Sequence, residues 1–172
     1  MRCGRCCTSF GVCVTPSDIR RIALETGLEP ISFIAAIPEP PDRERDEPSV
    51  IIDGKPSLII LKWSKHRNCI FYGSEGCTVY SYRPLLCRAY PFKGSRARGS
   101  LEDMASRACP APWRPDDKAA YLHALKAYGK ELLRYKRFAA VWNKHGGTLA
   151  EFLIECMENT PGKTKKNRSA PV

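Results

Sequence analysis

The sequence has no stretch that could cross a membrane as a helix. Its longest apolar runs, near residues 31–37 and 58–61, fall far short of the roughly 20 residues required. The chain opens Met-Arg-Cys-Gly-Arg-Cys-Cys, without the apolar core of a secretory signal, so a cytoplasmic location is the expectation. Much enzyme chemistry is missing too. There is no glycine-rich cofactor loop, no pair of carboxylates set for acid–base work and no nucleophile–base constellation. The separated C-x-x-C pairs of a zinc ribbon are absent, as is the compact C-x-x-x-C-x-x-C of a radical cluster. Internal repeats and recognised nucleic-acid-binding motifs are lacking. Carboxylates are the scarcer charge, 18 Asp+Glu against 28 Lys+Arg, for a net +10. That balance permits an anionic partner, whether nucleic acid, acidic protein or substrate. It fits a solvated basic surface with no partner equally well.

Cysteine is what the chain has in excess, with nine in 172 residues. A reducing cytosol keeps thiols free, so this density points to a metal binder and not to a disulfide scaffold, and the odd count argues against complete internal pairing. The organising stretch is 69–92. Cys69, Cys77 and Cys87 are interleaved there with aromatics, a Gly-Ser-Glu-Gly turn at 73–76, Pro84 and Pro91. The turn brings Cys69 and Cys77 back toward each other, Tyr80 and Tyr82 are expected over the site, and Pro84 sets up a short helical turn that aims Cys87 inward. Arg83 and Arg88 either stabilise thiolate charge or an anionic ligand, or pair with backbone carbonyls and surface carboxylates.

Upstream, Cys3-Gly-Arg-Cys6-Cys7 lets two thiolates reach one metal from a tight turn, with Gly4 free to take unusual dihedrals. Adjacent side chains diverge, so Cys7 is expected to point elsewhere, toward a second iron or another part of the site. Arg2 and Arg5 favour the thiolate form. Residues 10–14 read as a short extended segment in which Cys13 is a buried apolar residue more than a ligand. Thr15, Pro16 and Asp18 then start a helix that Gly27 ends. Pro30 opens a second helix over about 31–37, which Pro38 ends. The proline- and charge-rich segment 38–48 is a solvated loop. Residues 50–63 form a hairpin turned by Asp53-Gly54. His66, three residues before Cys69, is a surface histidine more than a ligand.

Cys109, in the proline-restricted Cys-Pro-Ala-Pro-Trp, is a late partner for the earlier thiols. One long helix is expected from about 115 to 143, with Asp116 and Asp117 in its first turn and Trp142 closing its apolar face. Gly146-Gly147 terminates it, with His145 as a capping residue. Thr148-Leu-Ala-Glu151 is a capping-box match that starts a last helix. That helix carries Cys156 among Phe152, Leu153 and Met157, as a core or semi-exposed residue and not a ligand. The basic segment 161–172 is expected to be disordered.

Together these residues resemble the YkgJ-type cysteine-cluster family, zinc- or iron-chelating proteins with a C-x-x-C-x-x-C-C signature. The resemblance lies in Cys3-Gly-Arg-Cys6-Cys7, the Thr-Pro-Ser-Asp-Ile helix start, and the order Cys69, Cys77-Thr-Val-Tyr, Arg83-Pro84, Cys87-Arg88, Tyr90-Pro91-Phe92. Cys109-Pro110 is similar to the family's later Cys-Pro element, so the likeness covers roughly residues 3–110. The family signature has a further cysteine three positions before Cys3, which would precede Met1. Either the start lies upstream, or the site works with one thiolate fewer, or Cys13 substitutes. Flagellin lysine methylases share a similar cluster, which implies an enzymatic branch.

The expected fold is α+β: a small, irregular, cysteine-rich metal-bound domain with a β-hairpin over 1–112, a helical extension packed on it over 113–160, and the tail. The candidate ligands are Cys3, Cys6, Cys7, Cys69, Cys77, Cys87 and Cys109. The expected function is metal binding through an iron–sulfur cluster, preferred over zinc, in a structural or redox role. The alternatives are an enzyme of the lysine-methylase type acting on a protein, and a nucleic-acid-associated metalloprotein.

Overall fold

Two capping boxes fix the ends of the helices that frame the chain. The computed structural model describes residues 4–41, 46–90 and 117–158. Thr15 and Asp18 cap each other reciprocally at the start of α2 (Pro16–Thr26), and Gly27, at φ 70, closes that helix. Thr148 and Glu151 repeat the device at the start of α6 (Leu149–Glu158). The one-turn α1 (Arg5–Ser9) precedes them, and between them lie α3 (Pro30–Phe33), α4 (Leu85–Ala89) and the 25-residue α5 (Lys118–Trp142). Asp117 is the N-cap of α5, its carboxylate accepting from the amides of Ala119 and Ala120. Asp116 lies outside the described residues.

The expected second helix is mostly strand. Helix α3 stops at Phe33, and Ile34–Pro38 forms β1, paired antiparallel with β3 (Lys55–Leu61) from Ile34↔Leu61 to Pro38↔Ser57. Four residues cannot sustain a helix alone, whereas the extended run satisfies its backbone on the sheet and buries Ile34 completely. The hairpin forms as expected. Strands β2 (Val50–Ile52) and β3 are joined through Asp53 and Gly54, both at positive φ, as a two-residue turn of this hand requires. The sheet order is β1-β3-β2.

The central strand β3 feeds two cores by its period of two. Ile59 and Leu61 join the larger core with Val14, Ile19, Ile22, Phe33, Tyr135, Trp142 and Phe152, while Leu58 and Ile60 enclose Cys13 on the other side. The C-terminal helices are stitched to the hairpin by polar bonds as well. Trp142 Nε1 donates to Ile51 O at 2.9 Å, and Asn143 bridges Ile51 N and Ser49 O. The loop before the hairpin is not wholly solvated: Glu47 is buried and accepts from Tyr128 Oη at 2.6 Å. No described helix is long and apolar enough to cross a membrane. Residues 161–172 lie outside the described residues.

Candidate metal centre

Gly4 begins the thiol region. It sits at φ 68, and a Cβ there would fall 2.1 Å from Tyr72 Oη, so only glycine fits both the dihedral and the space. The chain then makes the single turn of α1, which carries Cys6 and Cys7. This short helix replaces the simple tight turn that the C-x-x-C spacing suggested, and it changes where Cys7 points. Successive side chains are about 100° apart on a helix and not opposed as on a strand, and the Cys6 and Cys7 sulfurs lie 4.0 Å apart. Two thiolates on one tetrahedral zinc, each about 2.3 Å from the ion, lie about 3.8 Å from each other. The expected divergence of Cys7 is therefore corrected.

The second segment is tied to the first by backbone. Cys69 N donates to Cys7 O at 2.7 Å, and Tyr72 N to Cys69 O at 2.9 Å. A miniature hairpin, β4 (Tyr72–Gly73) and β5 (Gly76–Cys77), sets Cys77 opposite Tyr72. A 3-10 turn (Tyr80–Tyr82) leads through Pro84 to α4, which carries Cys87 and packs Ala89 and Leu86 against Leu125, Tyr128 and Leu132 of α5. Cys6, Cys7, Cys69, Cys77 and Cys87 are all free thiols; Cys69 is buried and the others half-buried.

Burial and mutual charge shift the ionisation of these five thiols. A hydrogen bond from Cys7 lowers the Cys6 pKa to about 7, with a smaller contribution from the Arg83 charge. Cys7 is pushed up by giving that bond, by burial, and by the charges of Cys6, Cys69 and Cys87. Burial raises Cys69 to about 11, with Cys77 and Cys6 adding to the effect. Cys77 is raised by burial against the opposing pull of Arg83, and Cys87 is raised well up by burial and then by Cys6, Cys69, Asp18 and Cys77. Thiols from α1, the 69 segment, β5 and α4 thus oppose one another's ionisation, and a cation among them would reverse that opposition. Among the described residues, no three Cys, His, Asp or Glu side chains are placed so that they could hold one metal ion. Cys3 and Cys109 lie outside the described residues. The candidate donors are sulfur, one buried and four half-buried, which suits a soft metal or a cluster.

The remaining cysteines sit elsewhere. Cys13 bridges Ile60 within the small core beside β3, and Cys156 is fully buried on α6 with its thiol pushed up by burial. His66 is exposed. Tyr80 lies under the Arg83 guanidinium, 3.8 Å from the ring centre, and Tyr82 packs on the larger core. Arg83 and Arg88 bind backbone carbonyls, Arg83 Nη1 to Tyr80 O at 2.7 Å and Arg88 Nη2 to Ser81 O at 2.6 Å, and Arg83 also acts on Cys6 and Cys77. Sequence reasoning missed Arg21, and it saw Asp18 only as a capping residue. Asp18 is completely buried and also accepts from Leu85 N, the first amide of α4, at 3.0 Å. No local signal announces a bond of that span. The one available hint was an arginine three residues after the acid on the same helix.

These features define a class: a small α+β protein whose thiol-rich site is assembled from an N-terminal turn and a central irregular segment. The particular family follows from sequence. Residues 1–110 match the CxxCxxCC family, described as a putative zinc- or iron-chelating domain, and the chain belongs to it. No curated protein and no solved structure gives a match. Metal binding is the general property that the family description carries, and it covers zinc and iron alike.

Proposed function

We propose that the chain holds a thiolate-bound metal centre through Cys6, Cys7, Cys69, Cys77 and Cys87, with Cys3 and Cys109 completing the donor set, and that the centre is structural or redox-active. The observation that supports this reading is the Cys6–Cys7 sulfur pair at 4.0 Å with Cys69 tied by its amide to Cys7 O at 2.7 Å, beside free thiols at Cys77 and Cys87. Seven cysteines exceed the four that one closed zinc or cluster site needs, and the lack of separated C-x-x-C pairs favours an iron–sulfur cluster over an ordinary zinc ribbon. When bound, zinc supplies a cross-link between the segments, and a cluster supplies that together with an electron acceptor. The protein's own part is to hold the sulfurs, offset their charge with Arg83 and restrict water. A reducing, cytoplasmic setting suits this role.

Anaerobic purification followed by absorption spectroscopy and metal analysis tests the reading. A cluster gives iron, sulfide and a visible charge-transfer band. A colourless protein with stoichiometric zinc keeps the centre and removes the cluster, and a protein that takes up neither metal under reducing conditions overturns the proposal.

A further inference from the structure

Helix α2 presents two charged side chains to the segment that carries Cys87. Asp18 Oδ2 accepts from Thr15 N at 3.1 Å and Thr15 Oγ1 at 2.9 Å, capping its own helix. Its Oδ1 accepts from Leu85 N at 3.0 Å and from Arg21 Nη2. Helix α4 has no side-chain cap of its own, so one buried carboxylate caps two helices 67 residues apart in sequence. Arg21 continues the grip, with Nε donating to Tyr82 O at 3.2 Å and Nη2 to Arg83 O at 3.0 Å. From the other side, Arg88 Nε donates to Arg83 O at 3.2 Å and Nη2 to Ser81 O, while Arg83 Nη1 donates to Tyr80 O. The carbonyls of residues 80–83 are thus all held by guanidinium groups, immediately before the turn that bears Cys87.

A buried ion pair is a poor way to gain stability, since apolar side chains of the same volume commonly do as well. Its distinctive property is direction. A planar guanidinium with fixed N–H vectors sets the distance and the rotation of whatever it holds. Three guanidinium groups against one carboxylate also leave two positive charges in excess, beside thiols that become anionic when they take a metal.

We propose that the Asp18–Arg21 pair is a positioning device that fixes α4 so that Cys87 faces Cys6, Cys7, Cys69 and Cys77. This rests on the metal-centre reading above, and its test separates the two. In the reduced, metal-free full-length chain, N-ethylmaleimide labelling resolved by peptide mass reports Cys87 and Cys156 separately. Asp18→Asn and Arg21→Lys are expected to label Cys87 at least about tenfold faster than wild type with Cys156 unchanged, a size typical of losing a supporting partner. Lysine keeps the charge, but its single ammonium cannot hold two carbonyls and a carboxylate together, so it does not rescue. Should Asp18→Asn fail to fold, Arg21→Lys carries the test, because it removes no buried acceptor. An unchanged Cys87 rate, rescue by lysine, or equal acceleration at Cys156 overturns the proposal. In a second arm, zinc-loaded variants are expected to release zinc to a chelator about tenfold faster. Thr148→Ala, which uncaps the distant α6, is expected to release it at the wild-type rate, and equal release from all three variants contradicts a positioning role. If wild type takes up no zinc or iron, the metal reading falls, and the labelling of Cys87 still decides the positioning.

Discussion

The side of the molecule built from β1–β3, α5 and α6 and the side built from α1, the 69–77 segment and α4 hold together by different means. On the first, long regular elements bury Tyr135, Trp142, Phe152 and the centre of β3, and Phe152 stacks edge-on against both Phe138 and Trp142. On the second, no element exceeds five residues, and only a few apolar side chains, chiefly Phe71 and Val79, anchor it to the larger core, with thiols beside them. Short segments cannot remove enough surface from water to order themselves. They depend on cross-links: the Cys69–Cys7 backbone bond, the Asp18 and arginine contacts and, in our proposal, the metal. Cysteines behave accordingly on the two sides. Cys156 is packing, whereas Cys87 sits on a short helix whose start is held by polar bonds to Asp18 and, in our proposal, faces other thiols.

Truncating the apolar side is expected to give the largest effect. Phe152→Ala costs about 3–5 kcal/mol in chemical denaturation and lowers the stability of metal-loaded and metal-free protein alike, leaving metal content unchanged. A metal content that collapses with this variant would blur the division between the two sides. Next comes Cys87→Ala, which is expected to lose metal and with it about 3 kcal/mol of metal-linked stabilisation at metal a hundredfold above Kd. Its counterpart Cys156→Ala keeps metal and costs about 1 kcal/mol, near the loss of one buried methylene-sized group. Equal metal loss from both, measured by elemental analysis, contradicts the separation.

The pH dependence sharpens the comparison further. The Cys69 thiol is raised from the ordinary 9.0 to about 11 by burial. A raised pKa contributes stability that is complete below the unfolded value and is lost as pH climbs through the folded one. Cys69 alone therefore contributes a loss of about 2 kcal/mol between pH 9 and 11 in metal-free protein, whereas metal-loaded protein lacks that contribution and keeps only those of non-ligand thiols such as Cys156, so its thermal stability falls less over the same window. Gly4→Ala is expected to act on the thiol side alone. The left-handed dihedral costs about 1–2 kcal/mol, and the added Cβ forces the Tyr72 ring aside, so the loss should appear mainly as weaker metal retention by the α1 turn, read by chelator competition.

Much of the frame was legible in the sequence because its signals are local. Thr15-Pro-Ser-Asp18 and Thr148-Leu-Ala-Glu151 state their helix starts within four residues, and Asp53-Gly54 states the hairpin. Residues 34–38 misled because a short apolar run between prolines suits a helix or a strand, and only pairing with β3 decides between them. The thiols were legible as a set but not in direction. The Cys7 orientation follows from a one-turn helix that the pattern does not announce. The Asp18–Leu85 and Glu47–Tyr128 bonds join residues far apart in sequence, where no periodicity reaches. Composition marked the 38–48 segment as solvated, yet one of its acids is an anchor.

The central claim is that the five described thiols act as one metal-holding group distinct from the packing cysteines. Site-resolved alkylation of native protein, before and after a chelator, tests it most directly. Cys6, Cys7, Cys69, Cys77 and Cys87 are expected to be protected together in the metal-loaded protein and to become reactive together when metal is removed, with Cys13 and Cys156 unchanged throughout. Labelling of the five that is indifferent to the chelator, or protection that extends equally to Cys156, would contradict it.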